Sequence, residues 1–201
     1  MDKLNNQLDF LAVCDALKTI ERQTLLLDKS RQENTAEHSW HSALTALVLF
    51  EYCVLDGVDL EHVVKMIIVH DLVEVYAGDS PAMDKSAQIG KEEREQNAAD
   101  KLFKLLPAKQ AHEFRALWEE FEEQYTNSAQ YAVAVDCFQS FHNNRSNKGA
   151  GAWTKFNATA EMICNRNLPI KKAMPSLWHI IESTIEEGLK SGFIKNEKIA
   201  D

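Results

Sequence analysis

The sequence predicts an all-α, single-domain helical bundle, and three observations carry that reading. The chain has 201 residues, 45% of them hydrophobic, enough for one domain with its own core. Its 7 glycines and 4 prolines fall well below the roughly 12% of ordinary usage, which leaves few turns for a sandwich or barrel. Ala, Leu, Glu, Lys and Gln are abundant, and apolar residues recur at helical spacing. No repeat, low-complexity tract or linker divides the chain, so residues 1–201 read as one domain with a motif-bearing core at about 22–145 and C-terminal helices at 153–192.

Leu4, Leu8 and Leu11, with Phe10, Cys14 and Leu17 offset, mark a first amphipathic helix that fades into the polar stretch 28–33. Asn34 followed by Glu37 has capping-box spacing and opens a second helix reaching about Leu55. Asp59 can cap a third, Leu60 to about Tyr76, with Gly78 as its stop and a loop through Pro81. Lys91 to Leu106 reads as a charged helix ended by Pro107. Phe114, Leu117, Trp118 and Phe121 mark one face of the next helix, and Glu119, Glu120, Glu122 and Glu123 a solvated opposite face. Tyr131 to Phe141 is nearly all apolar, hence a buried helix, followed by a loop at 143–151. Helices near Thr154–Cys164 and Ser176–Lys190 complete the set.

Composition excludes several partners. The longest apolar stretch, Ala43 to Phe50, is far short of the ~20 residues of a membrane span. The opening Met1-Asp2-Lys3-Leu4-Asn5-Asn6 lacks the order of a signal peptide, which predicts a cytoplasmic chain. Cys14, Cys53, Cys137 and Cys164 have no CxxC spacing and read as free thiols among apolar residues. A net charge of −9, without any Lys/Arg cluster, disfavours nucleic acid.

Three buried-looking helices each carry polar residues that packing alone would not select: His38 on the second, His70-Asp71 with Glu74 one turn later on the third, and Asp136 inside the apolar run 132–138. A buried carboxylate costs several kcal/mol unless compensated. No Lys or Arg stands at the i±3 or i±4 positions of Asp136, so its counter-charge comes from another helix or from a bound metal. Two imidazoles and two carboxylates suit Mn, Fe, Co, Ni or Zn, with Mg less natural. Beside this stands the plainer reading of hydrogen-bonded core histidines and an Asp136 paired with a distant arginine.

The order His38, His70-Asp71, Asp136 resembles the signature of the HD-domain metal-dependent phosphohydrolases. The stretches Glu33-Asn34-Thr35-Ala36-Glu37-His38-Ser39, His70 to Pro81 and Leu117-Trp118-Glu119-Glu120-Phe121-Glu122 resemble its short single-domain branch containing the 5′-deoxynucleotidases, with agreement from about Arg22 to Phe141. The resemblance implies an all-helical fold, a divalent metal ion held by His38, His70, Asp71 and Asp136, and a homodimer with the C-terminal helices at its interface. It implies catalytic roles for Glu74 and Asp79, with a second, weaker ion near Glu74, Asp79 and Ser80, and a substrate-binding Arg22. Gln23 stands where the bacterial deoxynucleotidases carry a tryptophan, so the resemblance does not extend to a preference for deoxyribose. His41 is read as a surface or supporting residue.

The reaction expected is hydrolysis of a (deoxy)nucleoside 5′-monophosphate, a small-molecule substrate drawn in locally by the metal and Arg22, with Lys85 or Arg31 as helpers. Glu74 is the first choice for orienting or deprotonating water; Asp79 protonates the leaving oxygen or holds the second ion. The alternatives are a phosphodiesterase or pyrophosphohydrolase acting on another nucleotide, or a non-catalytic metal- or nucleotide-binding regulatory module.

Overall fold

A computed structural model describes residues 3–196; Met1 and Asp2 of the opening stretch, and residues 197–201 of the domain, lie outside it. Helix α1 (Lys3–Cys14) runs through a 3-10 turn, Asp15–Thr19, into a two-stranded antiparallel ribbon, β1 (Glu21–Leu25) and β2 (Gln32–Asn34). That ribbon corrects the sequence reading, which faded the first helix into polar coil. Neither strand shows clean apolar alternation. The ribbon's turn is closed locally, the Leu26 amide donating to the Arg31 carbonyl at 3.0 Å, and tertiary contacts anchor it: Asn147 Nδ2 donates to the carbonyls of Leu25 and Leu26, and Thr24 bridges to Gly151. A Cβ at Gly151, whose φ is +89°, would lie 2.9 Å from the Gln23 carbonyl oxygen, so this approach requires glycine.

The capping box of Asn34 and Glu37 starts α2 (Thr35–Leu49), and Asp59 caps α3 (Leu60–Val69) through the amides of Glu61 and His62. The long third helix of the sequence reading breaks at its chemistry-bearing residues. His70–Val73 is a 3-10 turn, and α4 (Glu74–Ala77) ends at Gly78, φ +75°. After a loop come α5 (Lys91–Phe103), α6 (Ala108–Glu123) and α7 (Asn127–Ser146). The C-terminal part is more broken than periodicity predicts: α8 (Ala152–Lys155), α9 (Ala160–Arg166), α10 (Leu168–Ala173) and α11 (Trp178–Ser191).

Helix α7 is the axis. It packs on α2, α3, α6 and α10, and apolar residues cover it on every side, as its near-continuous hydrophobic run requires. Tyr131, fully buried, donates its hydroxyl to the Ala46 carbonyl of α2 at 2.8 Å. A second cluster gathers Phe10, Leu72, Val73, Leu102, Phe103 and Trp118 under α5 and α6. The four cysteines are free, Cys137 buried and the others half-buried. The acidic side of α6 is not uniformly solvated: Glu120 is buried and accepts from His62 Nε2 and Thr126 Oγ1, and Glu122 lines a cavity. Trp40, Leu44, Leu47 and Val48 leave an exposed apolar stripe on α2. Among the described residues no helix is long and apolar enough to cross a membrane.

Candidate metal centre

Helices α2, α3 and α7 approach one another with a polar residue facing inward from each. His38 comes from the first turn of α2 and is fully buried; His70 and Asp71 come from the 3-10 turn after α3; Asp136 comes from the middle of α7. A 3-10 turn spliced into a helical run swings successive side chains off their α-helical positions, and such turns recur at functional sites. Here it turns His70 and Asp71 toward one point. One ligand atom from each of His38, His70 and Asp71 lies within 4.8 Å of the others.

The individual contacts define which atoms face that point. His38 Nε2 lies 2.8 Å from Asp136 Oδ1 and 3.7 Å from Asp71 Oδ2. His70 Nε2 lies 3.1 Å from Asp71 Oδ1 and 4.0 Å from Asp136 Oδ1. His70 Nδ1 donates to the Ile67 carbonyl at 2.7 Å, which leaves its Nε2 lone pair free for a ligand. Phe121 of α6 covers the His70 ring at a centroid distance of 4.4 Å. Four side chains thus turn acceptor atoms toward one another, an arrangement stable only with positive charge between them, as protons or as a cation.

Charge shifts follow that logic. Burial disfavours a protonated His70, yet Asp71 and Asp136 outweigh it and lift the ring from 6.5 to about 9. Burial likewise works against ionised Asp71 and Asp136. His70, Arg22 and His38 hold Asp71 well below the usual carboxylate range, and His38, Arg166 and His70 do the same for Asp136. The fold therefore keeps two carboxylates charged at the point where a divalent ion would need them. The donor set fits such an ion: two imidazole nitrogens and two carboxylate oxygens on three rigid elements.

The distant arginine that the sequence left open is also present. Arg166 of α9 donates Nη2 to Asp136 Oδ2 at 2.8 Å, and Asp136 keeps Oδ1 toward the histidines. The two readings of Asp136 therefore divide its two oxygens between them. Nothing in the α9 pattern marks Arg166; its role depends on a contact across 30 residues.

The other candidates surround a cavity of about 280 Å³ lined by His70, Asp71 and Asp136. Arg22, placed by β1, reaches Asp71 Oδ2 at 3.4 Å and Ser140 Oγ at 3.3 Å. Glu74 is buried and receives the Thr35 hydroxyl at 2.7 Å; burial, then Asp71, raises its carboxyl from 4.5 to about 8. Asp79 lines the same cavity, and burial raises its carboxyl against the pull of Arg22. Of the expected helpers, Arg31 is paired with Glu37 and neither it nor Lys85 lines the cavity; Lys91 and Arg166 supply the extra cations there. Gln23 also lines it, with its Oε1 held by Lys155 Nζ at 2.5 Å. His41 sits behind His38, 3.1 Å from Gln139 Nε2. Sequence reasoning did not find Glu33, Lys91, Glu95, Gln139, Trp153 or Arg166. Of these only Glu33 and Gln139 carry a retrospective signal, as polar residues in segments that fold to be buried.

The HD domain family model matches residues 14–178. The chain belongs to the HD-domain family. A predicted metal-dependent phosphohydrolase from Magnetospirillum magnetotacticum, solved by crystallography, superposes with a TM-score of 0.88 at 38% identity, covering 96% of this chain and 95% of that one. The human 5′-deoxynucleotidase HDDC2 is 28% identical over 130 residues, 64% of this chain. Its Dictyostelium discoideum counterpart is 29% identical over 141 residues, covering 68% of this chain and 74% of its own length. The chain spans 62% of the length of the human relative.

Proposed function

We propose that this HD-domain chain is a divalent-metal-dependent phosphohydrolase that releases phosphate from (deoxy)nucleoside 5′-monophosphates in the cytosol. The observation that carries the reading is the convergence of His70, Asp71 and Asp136, with buried His38 behind them, at a cavity whose wall also bears Arg22, Lys91 and Arg166. At about 280 Å³ the cavity lies just below the roughly 300–1,000 Å³ of small-molecule sites, which favours a mononucleotide over larger substrates. The two relatives that are 5′-deoxynucleotidases support the same substrate class.

His38, His70, Asp71 and Asp136 would hold a divalent ion, which when bound would supply Lewis acidity toward the phosphoryl oxygen and lower the pKa of water. Arg22 and Arg166 orient the phosphate and offset charge that spreads over its oxygens as the bond to the sugar lengthens. Glu74, with Oε2 accepting from Thr35, has its carboxyl raised by burial and by Asp71; with Asp71 offset by a cation, the Glu74 carboxylate would be free to take the proton of the attacking water. The water oxygen bonds to phosphorus, the bond from phosphorus to the 5′-oxygen breaks, and Asp79, raised by burial and so able to hold a proton, gives it to that leaving oxygen. We also propose that the chain pairs with a second copy, to be read by light scattering.

The test is metal analysis of the purified protein, followed by phosphate detection across nucleoside mono-, di-, tri- and cyclic phosphates with each added ion. Release from 5′-monophosphates alone supports the reading. Turnover confined to cyclic or triphosphate substrates, or an ion-loaded protein that binds nucleotide without product, replaces it.

A further inference from the structure

Gln139 is 1% exposed on α7, one turn after Asp136, where an apolar residue would fill the space without needing partners. Its contacts form a chain. Glu33 Oε1 accepts from Gln139 Nε2 at 2.7 Å and from Asn143 Nδ2 at 3.2 Å. An oxygen receiving two amide donors fixes the nitrogen of Gln139 on its side, so the amide oxygen must face the other way. That oxygen meets His38 Nδ1 at 2.7 Å.

We infer that Gln139 is a positioning residue that selects the metal-binding nitrogen of His38, and that Glu33 sets which way its amide faces. A neutral imidazole offers one lone pair. With Nδ1–H donated to Gln139 Oε1, that lone pair is on Nε2, facing Asp71 and Asp136. Were the amide reversed, its NH₂ would face Nδ1, the proton would move to Nε2, and His38 could no longer ligate toward the cavity. His70 needs no such guard, because its Nδ1 partner is a backbone carbonyl, which cannot flip. Glu33 is 1% exposed, and its Oε2 lies 3.8 Å from Arg22 Nε. One carboxylate thus stands behind both a ligand and the phosphate-binding arginine.

The inference rests on the metal reading of the site, and the experiment separates the two. Zn²⁺ and Mn²⁺ affinities are measured by calorimetry for the wild type, Gln139→Leu, Gln139→Glu and the double variant Glu33→Gln/Gln139→Glu. The His38 ring nitrogens are followed by ¹⁵N NMR in the metal-free proteins. Gln139→Leu, which keeps the volume and removes the acceptor, is expected to weaken ion binding by about 10–100-fold and, in the metal-free protein, to lose the proton on His38 Nδ1. Gln139→Glu opposes two buried carboxylates and loses affinity. The double variant reverses donor and acceptor between positions 33 and 139 while still offering His38 an oxygen, so affinity returns.

Wild-type affinity in Gln139→Leu, no recovery in the double variant, or an unprotonated Nδ1 in the wild type overturns the inference and leaves the metal reading standing. A wild type that takes up no ion overturns the metal reading instead; the inference is then decided by the Nδ1 proton, present in the wild type and lost in Gln139→Leu. If Gln139→Leu does not fold, the double variant decides.

Discussion

Arg166 and Asp136 are joined through one carboxylate oxygen, Nη2 to Oδ2 at 2.8 Å, and the other oxygen of Asp136 is left to His38. The pair ties α9, in the broken C-terminal part, to the middle of α7. The C-terminal segment is therefore part of the site rather than a cover over it.

Removing this arginine leaves Asp136 with uncompensated charge on one side. The Arg166 side chain is 38% exposed, so solvent replaces part of the lost interaction. Arg166→Ala should cost about 1–2 kcal/mol, or roughly 2–4 °C of melting temperature for each kcal/mol in a chain of this size. Scanning fluorimetry on the chelated protein isolates the effect, and an unchanged midpoint there would mean that the pair contributes nothing to stability.

Metal removal should act through the same acceptors. An ion bound only by the folded chain stabilises it by about 2.7 kcal/mol at one hundred times its Kd. Wild-type protein should therefore melt higher with added Mn²⁺ or Co²⁺ than with chelator. Asp71→Asn and His70→Ala should lose that difference and phosphate release together, while far-ultraviolet circular dichroism stays the same. Ion-dependent melting that survives in both variants would place the ion elsewhere.

Glu74 stands one helical turn beyond His70 and bonds Thr35 rather than the cluster's centre. Glu74→Gln keeps the shape and the Thr35 contact but cannot take a proton. Ion affinity should hold while kcat falls by about 10²–10⁴-fold, the usual worth of a positioned acid or base. If turnover is retained, Asp79→Asn should show the loss instead, and the base is reassigned to Asp79.

Much of this site is legible in the sequence because the four proposed ligands violate the local pattern. A carboxylate within the run 132–138 has no packing rationale, and His70-Asp71 follows a run that would otherwise continue as helix. The starts of α2 and α3 were legible for the complementary reason, since caps and periodicity agree there, and α6 was legible from periodicity alone. The β1–β2 ribbon was not, because neither strand alternates apolar and polar residues and the ribbon docks through Asn147 and Gly151, more than a hundred residues away. Arg166 and Gln139 escaped for the same reason. Each acquires its role only from a partner on another helix, at 2.8 and 2.7 Å, and Gln139 alone stands out within its own helix, as a polar residue in a buried run.

The cavity wall also carries acid that the proposed reaction does not use. Glu95 of α5 is buried, with Lys91 Nζ at 3.5 Å and Glu122 nearby; burial, opposed by Lys91 and reinforced by Glu122, raises its carboxyl from 4.5 to about 7. The folded state then holds this proton more tightly than the unfolded chain. Its contribution to stability is complete below pH 4.5 and is lost as pH rises to about 7. Glu74, at about 8, and His70, at about 9, have the same sign over higher windows. Stability of the metal-free protein should therefore fall between pH 5 and 8. For Glu95 alone the loss is of order 3 kcal/mol at 1.36 kcal/mol per pH unit. Glu95→Gln, neutral at every pH, should lessen that fall and be more stable than wild type at pH 8. Urea unfolding at pH 5 and pH 8 measures both terms; parallel curves for variant and wild type would show that Glu95 is ionised throughout and that Lys91 compensates it fully.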